Sequence, residues 1–211
     1  MDSTENQTIL AYVETFFSQS GTHGLDHILR VTRLSQEIGV AEGADMRVLI
    51  PAALFHDIAR PIEDETGIPH QEEGGARIAE EYLRKAGYDA ARIAAIVHAI
   101  RSHRFSTGPE PETLEAQVLS DADNLDAMGA VGIARTFMRA GERGGDGIGG
   151  GAVGHIHEKL LKLQGGLMYT DTAQEIAEQR HALLQRFVES LEDETATGRS
   201  VAGVFLRGSV K

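Results

Sequence analysis

The chain has 211 residues, 41% of them hydrophobic, and a formal charge of −12 at pH 7. That is enough apolar material for one large core. The acidity argues against an extended nucleic-acid interface, which needs a basic face to neutralise phosphates. There is no cysteine, so disulfides and thiolate metal sites are excluded, and the composition fits a reducing cytoplasm. Met1-Asp2-Ser3-Thr4-Glu5 is polar and acidic, unlike a secretory leader. No apolar run approaches the roughly 18–20 residues of a membrane span. A soluble, cytoplasmic protein is expected.

Apolar residues at helical spacing over residues 7–19 predict a first helix, followed by a turn at Ser18-Gln19-Ser20-Gly21. A second helix is expected from Leu25 to Gly39, with Ile28, Val31, Leu34 and Ile38 facing inward. His27 lies at the edge of that face, near the helix start. Asp45 can cap a third helix running through Val48 to Ile58, with Pro51 tolerated in its first turns. This helix is apolar all round, which marks it as central and buried. At its end stands the doublet His56-Asp57, in the run Leu49 to Ala59. Burying an imidazole and a carboxylate side by side is costly unless something pairs with them. A metal ion is one such partner, and a histidine hydrogen-bonded to its own neighbour is the other reading.

Arg60-Pro61 should end the third helix, leaving Ile62 to Pro69 as an acidic loop that precedes His70. Gln71 to Ala86 reads as a helix stopped by Gly87, and Asp89 caps the next, whose stripe is Ile93, Ile96, Val97 and Ile100. His103 continues that stripe. His98 is about 140° away round the helix and reads as solvent-facing or supporting. Leu114 to Phe137 is expected to be helical with a break near Ser120. Within it Asp123 and Asp126 are near neighbours, Asp121 points away, and Asp123 borders the core. Gly141 to Gly154 holds eight glycines in fourteen residues and reads as irregular: a mobile loop, a lid or disorder. It lacks the Gly-Lys-Ser/Thr ending of a P-loop. Helices are expected again from His155 to Leu163 and from Thr172 to Leu191, the latter with Ile176, Leu183, Leu184, Phe187 and Leu191 inward. No alternating strand pattern competes anywhere, so the fold class is all-α.

His27, His56-Asp57 and Asp123 thus border buried stripes on three helices. A helical bundle builds a metal site from inward ligands on facing helices in this way. Mixed nitrogen and oxygen ligation suits Mn, Fe, Zn or Mg without selecting among them. Here the chain resembles the HD-domain metal-dependent phosphohydrolases, whose pattern is H…HD…D. The matching stretches are Asp26-His27-Ile28-Leu29-Arg30-Val31, Leu54-Phe55-His56-Asp57-Ile58-Ala59 and Asp121-Ala122-Asp123-Asn124-Leu125-Asp126-Ala127-Met128-Gly129-Ala130. Ser102-His103-Arg104-Phe105-Ser106 and His155-Ile156-His157-Glu158-Lys159-Leu160 look like a bacterial and archaeal branch that includes nucleotide pyrophosphohydrolases.

The resemblance spans roughly residues 20–190. It implies a single HD-domain helical bundle over residues 1–192 with the metal in its core, followed by a polar tail, 193–211. Its motif-bearing part is about 20–140 and its C-terminal helices 155–192. The resemblance implies a divalent metal held by His27, His56, Asp57 and Asp123, with His70 and His103 as added ligands if a second ion binds. Arg30, Arg104 and Lys159 are the candidate phosphate contacts, although Lys159 also reads as an ordinary surface lysine. Some relatives carry a carboxylate three or four residues after the doublet histidine. Ala59 and Arg60 stand there instead, so Glu63 and Asp64 are the nearest candidates for a general acid or water-orienting group. The expected activity is hydrolysis of a phosphoanhydride or phosphoester bond in a nucleotide-like small molecule. The alternatives are a two-metal phosphodiesterase or dinucleoside polyphosphate hydrolase, and a silent nucleotide-binding domain. The oligomeric state is open, a homo-oligomer included.

Overall fold

A computed structural model describes residues 3–17, 24–67, 71–104, 109–142, 144, 148 and 150–195, and among these every regular element is a helix. α1 (Ser3–Glu14) starts earlier than its periodicity predicts and stops sooner. Its end tightens into three-residue turns, Thr15 N–H to Tyr12 O, Phe16 N–H to Val13 O and Phe17 N–H to Glu14 O. Phe16 and Phe17 still pack on the core, which is why the apolar pattern continues past the helix. α2 (Leu25–Glu42) buries His27, Ile28, Val31, Leu34, Ser35, Ile38 and Gly39, and closes on Gly43 in the left-handed region (φ 79°). The backbone N–H of Ala44 returns to Gly39 O, satisfying an orphan carbonyl of the last turn.

Asp45 caps α3 (Met46–Phe55), its carboxylate accepting from Arg47 N–H at 2.9 Å. Every residue from Val48 to Phe55 is buried, as expected of the central helix. α3 packs against α1, α2, α6 (Ala90–Ser102) and α7 (Leu114–Asp126). Pro51 lacks the N–H that would bond the Arg47 carbonyl. Arg92 Nε–H on α6 takes that carbonyl instead, at 3.0 Å.

The first departure that matters for function is the end of α3. The helix stops at Phe55 rather than Ile58, and residues 56–59 form a tighter turn with Ile58 N–H to Phe55 O and Arg60 N–H to Asp57 O. The doublet therefore sits on a turn. The expected acidic loop is a second departure, because α4 (Arg60–Thr66) is helical, with Pro61 in its first turn where no N–H partner is required.

α5 (Gln71–Lys85) and α6 follow the predicted pattern, with Asp89 capping α6 through Arg92 N–H. The break expected near Ser120 lies instead at Ala127–Met128, between α7 and α8 (Gly129–Glu142). Ser120 is buried in mid-helix, whereas Gly129 takes φ 65°, a conformation open to glycine at little cost.

The glycine-rich stretch is not wholly irregular. α9 (Gly150–Glu158) begins inside it and a 3₁₀ turn follows at Leu160–Lys162. Ala152 and Ile156 are buried, so tertiary packing outweighs the poor helix propensity of Gly150, Gly151 and Gly154. α10 (Asp171–Thr195) extends past Leu191 and buries Ala173, Ala177, Leu184 and Val188. Leu183, expected inward, is 37% exposed, since the buried stripe passes on the other side of Leu184. No helix among the described residues is long and apolar enough to cross a membrane.

Candidate metal centre

Four helix ends meet at one point. The first turn of α2 brings His27, the turn after α3 brings His56 and Asp57, the C-terminal end of α6 brings His103, and the last turn of α7 brings Asp123. His27, His56, Asp57 and His103 are all nearly inaccessible to solvent. His27, His56 and Asp57 each offer a ligand atom, and these atoms lie within 4.8 Å of one another. Asp123 reaches the same point, its Oδ1 3.4 Å from His27 Nε2. His56 Nε2 is 3.3 Å from His27 Nε2, and Asp57 Oδ2 is 3.6 Å from it.

The orientation of the imidazoles has a local cause. His56 Nδ1 donates to Ala53 O at 2.7 Å and His103 Nδ1 donates to Ile100 O at 2.6 Å. A carbonyl only accepts, so the proton of each neutral ring is on Nδ1 and Nε2 keeps its lone pair. His27 Nδ1 lies 2.8 Å from Asp126 Oδ2, a third acceptor. All three rings thus hold Nδ1 outward and turn Nε2 towards the centre, the arrangement that metal-ligating histidines adopt. The donor set, imidazole Nε2 atoms with buried carboxylate oxygens, fits a divalent cation.

The electrostatics agree with the geometry. Complete burial pushes the His56 pKa down to about 4 against the pull of Asp57, so the ring is neutral at pH 7. Burial also opposes the charging of His27, but its hydrogen bonds with Asp123 and Asp126 outweigh that and raise its pKa to about 9. Without a cation, a proton on His27 therefore supplies the positive charge. Burial opposes ionisation of Asp57 and Asp123 too, yet the surrounding imidazoles hold both below the usual carboxylate range.

The remaining residues expected at the site divide into groups. His103 joins the cluster, its Nε2 4.0 Å from Asp57 Oδ1 and its ring 5.2 Å from that of His56. Arg104 follows it directly and is partly buried. Arg30 is bound to carboxylates: Nε–H and an Nη–H donate to Asp126, and another Nη–H donates to Asp26 at 2.6 Å. A phosphate contact from Arg30 would have to compete with those ion pairs. Lys159 is exposed in the turn after α9, and none of its described contacts joins it to the cluster. Glu63 and Asp64 fall on α4, directly after the doublet turn, but their side chains lie outside the described residues, as does His70. His98 supports the 109–113 segment, its Nε2 accepting from Glu112 N–H at 3.3 Å. The residue without an assigned role in the sequence reading is Asp126. Its signal was there, one turn after Asp123, but a spacing does not say which atom a carboxylate meets.

The HD-domain family profile matches residues 24–128, which contain every described member of this cluster. YpgQ of Bacillus subtilis, an uncharacterized protein, is 34% identical over 194 residues, covering 88% of this chain and 91% of YpgQ. The chain belongs to the HD-domain superfamily. The crystal structure of YpgQ in complex with ADP superposes with a TM-score of 0.75 at 33% identity, covering 91% of this chain and 98% of that one. An HD-superfamily hydrolase from Bacillus thuringiensis gives 0.75 at 27% identity, covering 93% of this chain and 100% of the other. Ribonuclease Y of Chloroflexus aurantiacus is 36% identical over 105 residues, half of this chain but only 18% of that enzyme. HD domains bind divalent metals, and the His27–His56–Asp57 group is where this one could hold an ion.

Proposed function

We propose that this HD-domain protein is a metal-dependent phosphohydrolase that cleaves a phosphoanhydride or phosphoester bond in a nucleotide. The observation that carries this reading is the convergence of His27, His56 and Asp57 on one buried point, each ring turned Nε2-inward by a partner on Nδ1. The nucleotide part is supported by the ADP complex of YpgQ, a relative that aligns over nearly its whole length. The net charge of −12 favours a small substrate over an extended nucleic acid.

His27, His56, Asp57 and Asp123 would hold the ion. The bound ion supplies Lewis-acid polarisation of a phosphoryl oxygen and of the attacking water. His56, neutral because it is buried, needs no deprotonation to act as a ligand. His103 Nε2 turns its lone pair towards the outer side of Asp57, where it can accept from a water at the centre or serve as a ligand. Arg104 is the cation next to it and the candidate phosphate contact, with Lys159 a more distant one. Glu63 and Asp64, on the helix after the doublet, are the candidates for protonating the leaving group. The position of His103 beside Asp57 favours a second reading, in which His103 and His70 would help Asp57 hold a second ion.

The test is product chromatography after incubating Mn²⁺-loaded protein with nucleoside triphosphates, dinucleoside polyphosphates and cyclic dinucleotides, with His56→Ala as control. A monophosphate and pyrophosphate from a triphosphate, absent in the variant, supports the pyrophosphohydrolase form. Cleavage of dinucleotides alone, with two ions per chain, supports the two-metal reading. Binding of nucleotide and metal without turnover of any of these refutes the enzymatic reading.

A further inference from the structure

The three inward-turned histidines are not held alike. His56 and His103 donate Nδ1–H to carbonyls three residues earlier in their own chain segments, Ala53 O and Ile100 O. Local helical geometry is enough to orient them. His27 Nδ1 instead meets a residue 99 positions away, Asp126 at the end of α7, whose side chain is 2% exposed. Asp126 in turn is fixed by two guanidinium groups. Arg30 Nε–H donates to Oδ1 at 2.7 Å, Arg30 Nη2–H donates to Oδ2 at 3.1 Å, and Arg135 Nη1–H from α8 donates to Oδ2 at 2.6 Å. Arg30 is itself anchored by Asp26 at 2.6 Å.

We propose that Asp126, clamped between Arg30 and Arg135, is the positioning residue for His27, fixing its ring and its tautomer so that Nε2 faces the metal centre. The proposal rests on the metal-centre reading of the site for its affinity consequence, but not for the orientation of the ring. Two carboxylates one turn apart on α7 divide the work: Asp123 faces His27 Nε2 and Asp126 takes Nδ1. A carboxylate is a stronger acceptor than the carbonyls serving the other two rings, so His27 becomes the most electron-rich of the three imidazoles. The clamp also ties α8 to the centre, because Arg135 is that helix's contact with Asp126. A shift of α8 would therefore move the Asp126 carboxylate and, through it, His27.

Two measurements on the full chain test this. The first is Mn²⁺ affinity of the wild type, Asp126→Ala, Asp126→Asn and Arg135→Gln, with folding checked by circular dichroism. Asp126→Ala is expected to weaken binding by about 10- to 100-fold, the usual size for an outer partner of a metal ligand. Asp126→Asn keeps an acceptor oxygen and should lose less, and Arg135→Gln less again. The second is the solvent-protected, downfield Nδ1–H proton resonance of His27, identified by its loss in His27→Gln. It should be present in the wild type with or without metal and absent in Asp126→Ala. A folded Asp126→Ala with unchanged affinity and an unchanged His27 resonance overturns the proposal. If Asp126→Ala does not fold, Asp126→Asn decides, since a merely structural carboxylate would leave affinity within twofold in a folded variant. Wild-type protein that binds no Mn²⁺ sinks the metal-centre reading, and the resonance alone then judges the role of Asp126.

Discussion

Replacing Gly132 by alanine opposes two physical effects whose balance the structure decides. Gly132 lies in α8, where alanine is favoured over glycine by about 1 kcal/mol on helix propensity alone. A Cβ at that position, however, would stand 2.0 Å from the carbonyl oxygen of Ala127 and 2.5 Å from its carbon. The obstacle is backbone, so no rotamer change relieves it, and the α7–α8 junction must open by about 1 Å. Overpacking of this kind costs about 1–3 kcal/mol, and a clash against backbone belongs at the upper end. The net expectation is a loss of about 2 kcal/mol, or about 4–8 °C in Tm for a chain of this size. The junction also separates Asp126 from Arg135, so metal affinity should fall with stability. Gly141→Ala, in the same helix with nothing within 4 Å of the new methyl, is the control and should leave Tm unchanged or raise it. Thermal melts followed at 222 nm with and without Mn²⁺ would check both. A Gly132→Ala protein as stable as Gly141→Ala would refute the steric argument.

Removing the metal with a chelator should lower Tm, since a ligand at 100 times its Kd stabilises by about 2.7 kcal/mol, and His56→Ala should abolish the difference in the same melts. In the metal-free protein the His27 pKa is raised to about 9, so its stabilising contribution is complete below about 6.5, the unfolded value, and lost as pH rises through 9. The His56 pKa is depressed to about 4, so burying it neutral costs increasingly as pH falls from about 6.5 to 4. Chelated protein is therefore expected to be most stable near pH 6.5–7, and a Tm that keeps rising from pH 7 to 9 would contradict the His27 assignment. Asp121→Asn should cost about 1–3 kcal/mol. Its two oxygens accept from Tyr169 N–H, Thr170 N–H and the Thr170 hydroxyl, and an amide can face only some of these donors with an acceptor. Equal urea midpoints for Asp121→Asn and wild type would show that the tie between α7 and the start of α10 is dispensable.

The sequence by itself determined the all-helical class and the central place of α3, and it set His27, His56-Asp57 and His103 at buried positions, but it left the equally buried Asp126 without a role. These follow from periodicity and composition, which are local. Val48 to Phe55 is apolar on every face and could only be interior, and His27, His56-Asp57, His103 and Asp123 each stand where a buried stripe ends. Capping was equally legible, since Asp45 and Asp89 accept the backbone N–H groups that their positions predict. Tertiary structure decided the rest. Where α3 stops, three residues before the expected end at Ile58, depends on the pairing of the doublet turn and not on hydrophobicity. The helix at Gly150–Glu158 forms despite its glycines because Ala152 and Ile156 find a core to enter. The break after α7 belongs to Gly129, whose left-handed φ is invisible until the chain has to turn there. The sharpest case is Arg30. Its spacing from His27 places it near the metal centre, but only the approach of α7 puts Asp126 against it and joins both to His27. Helical spacing determines which residues share a face; which atom on another helix meets that face depends on packing between segments nearly a hundred residues apart.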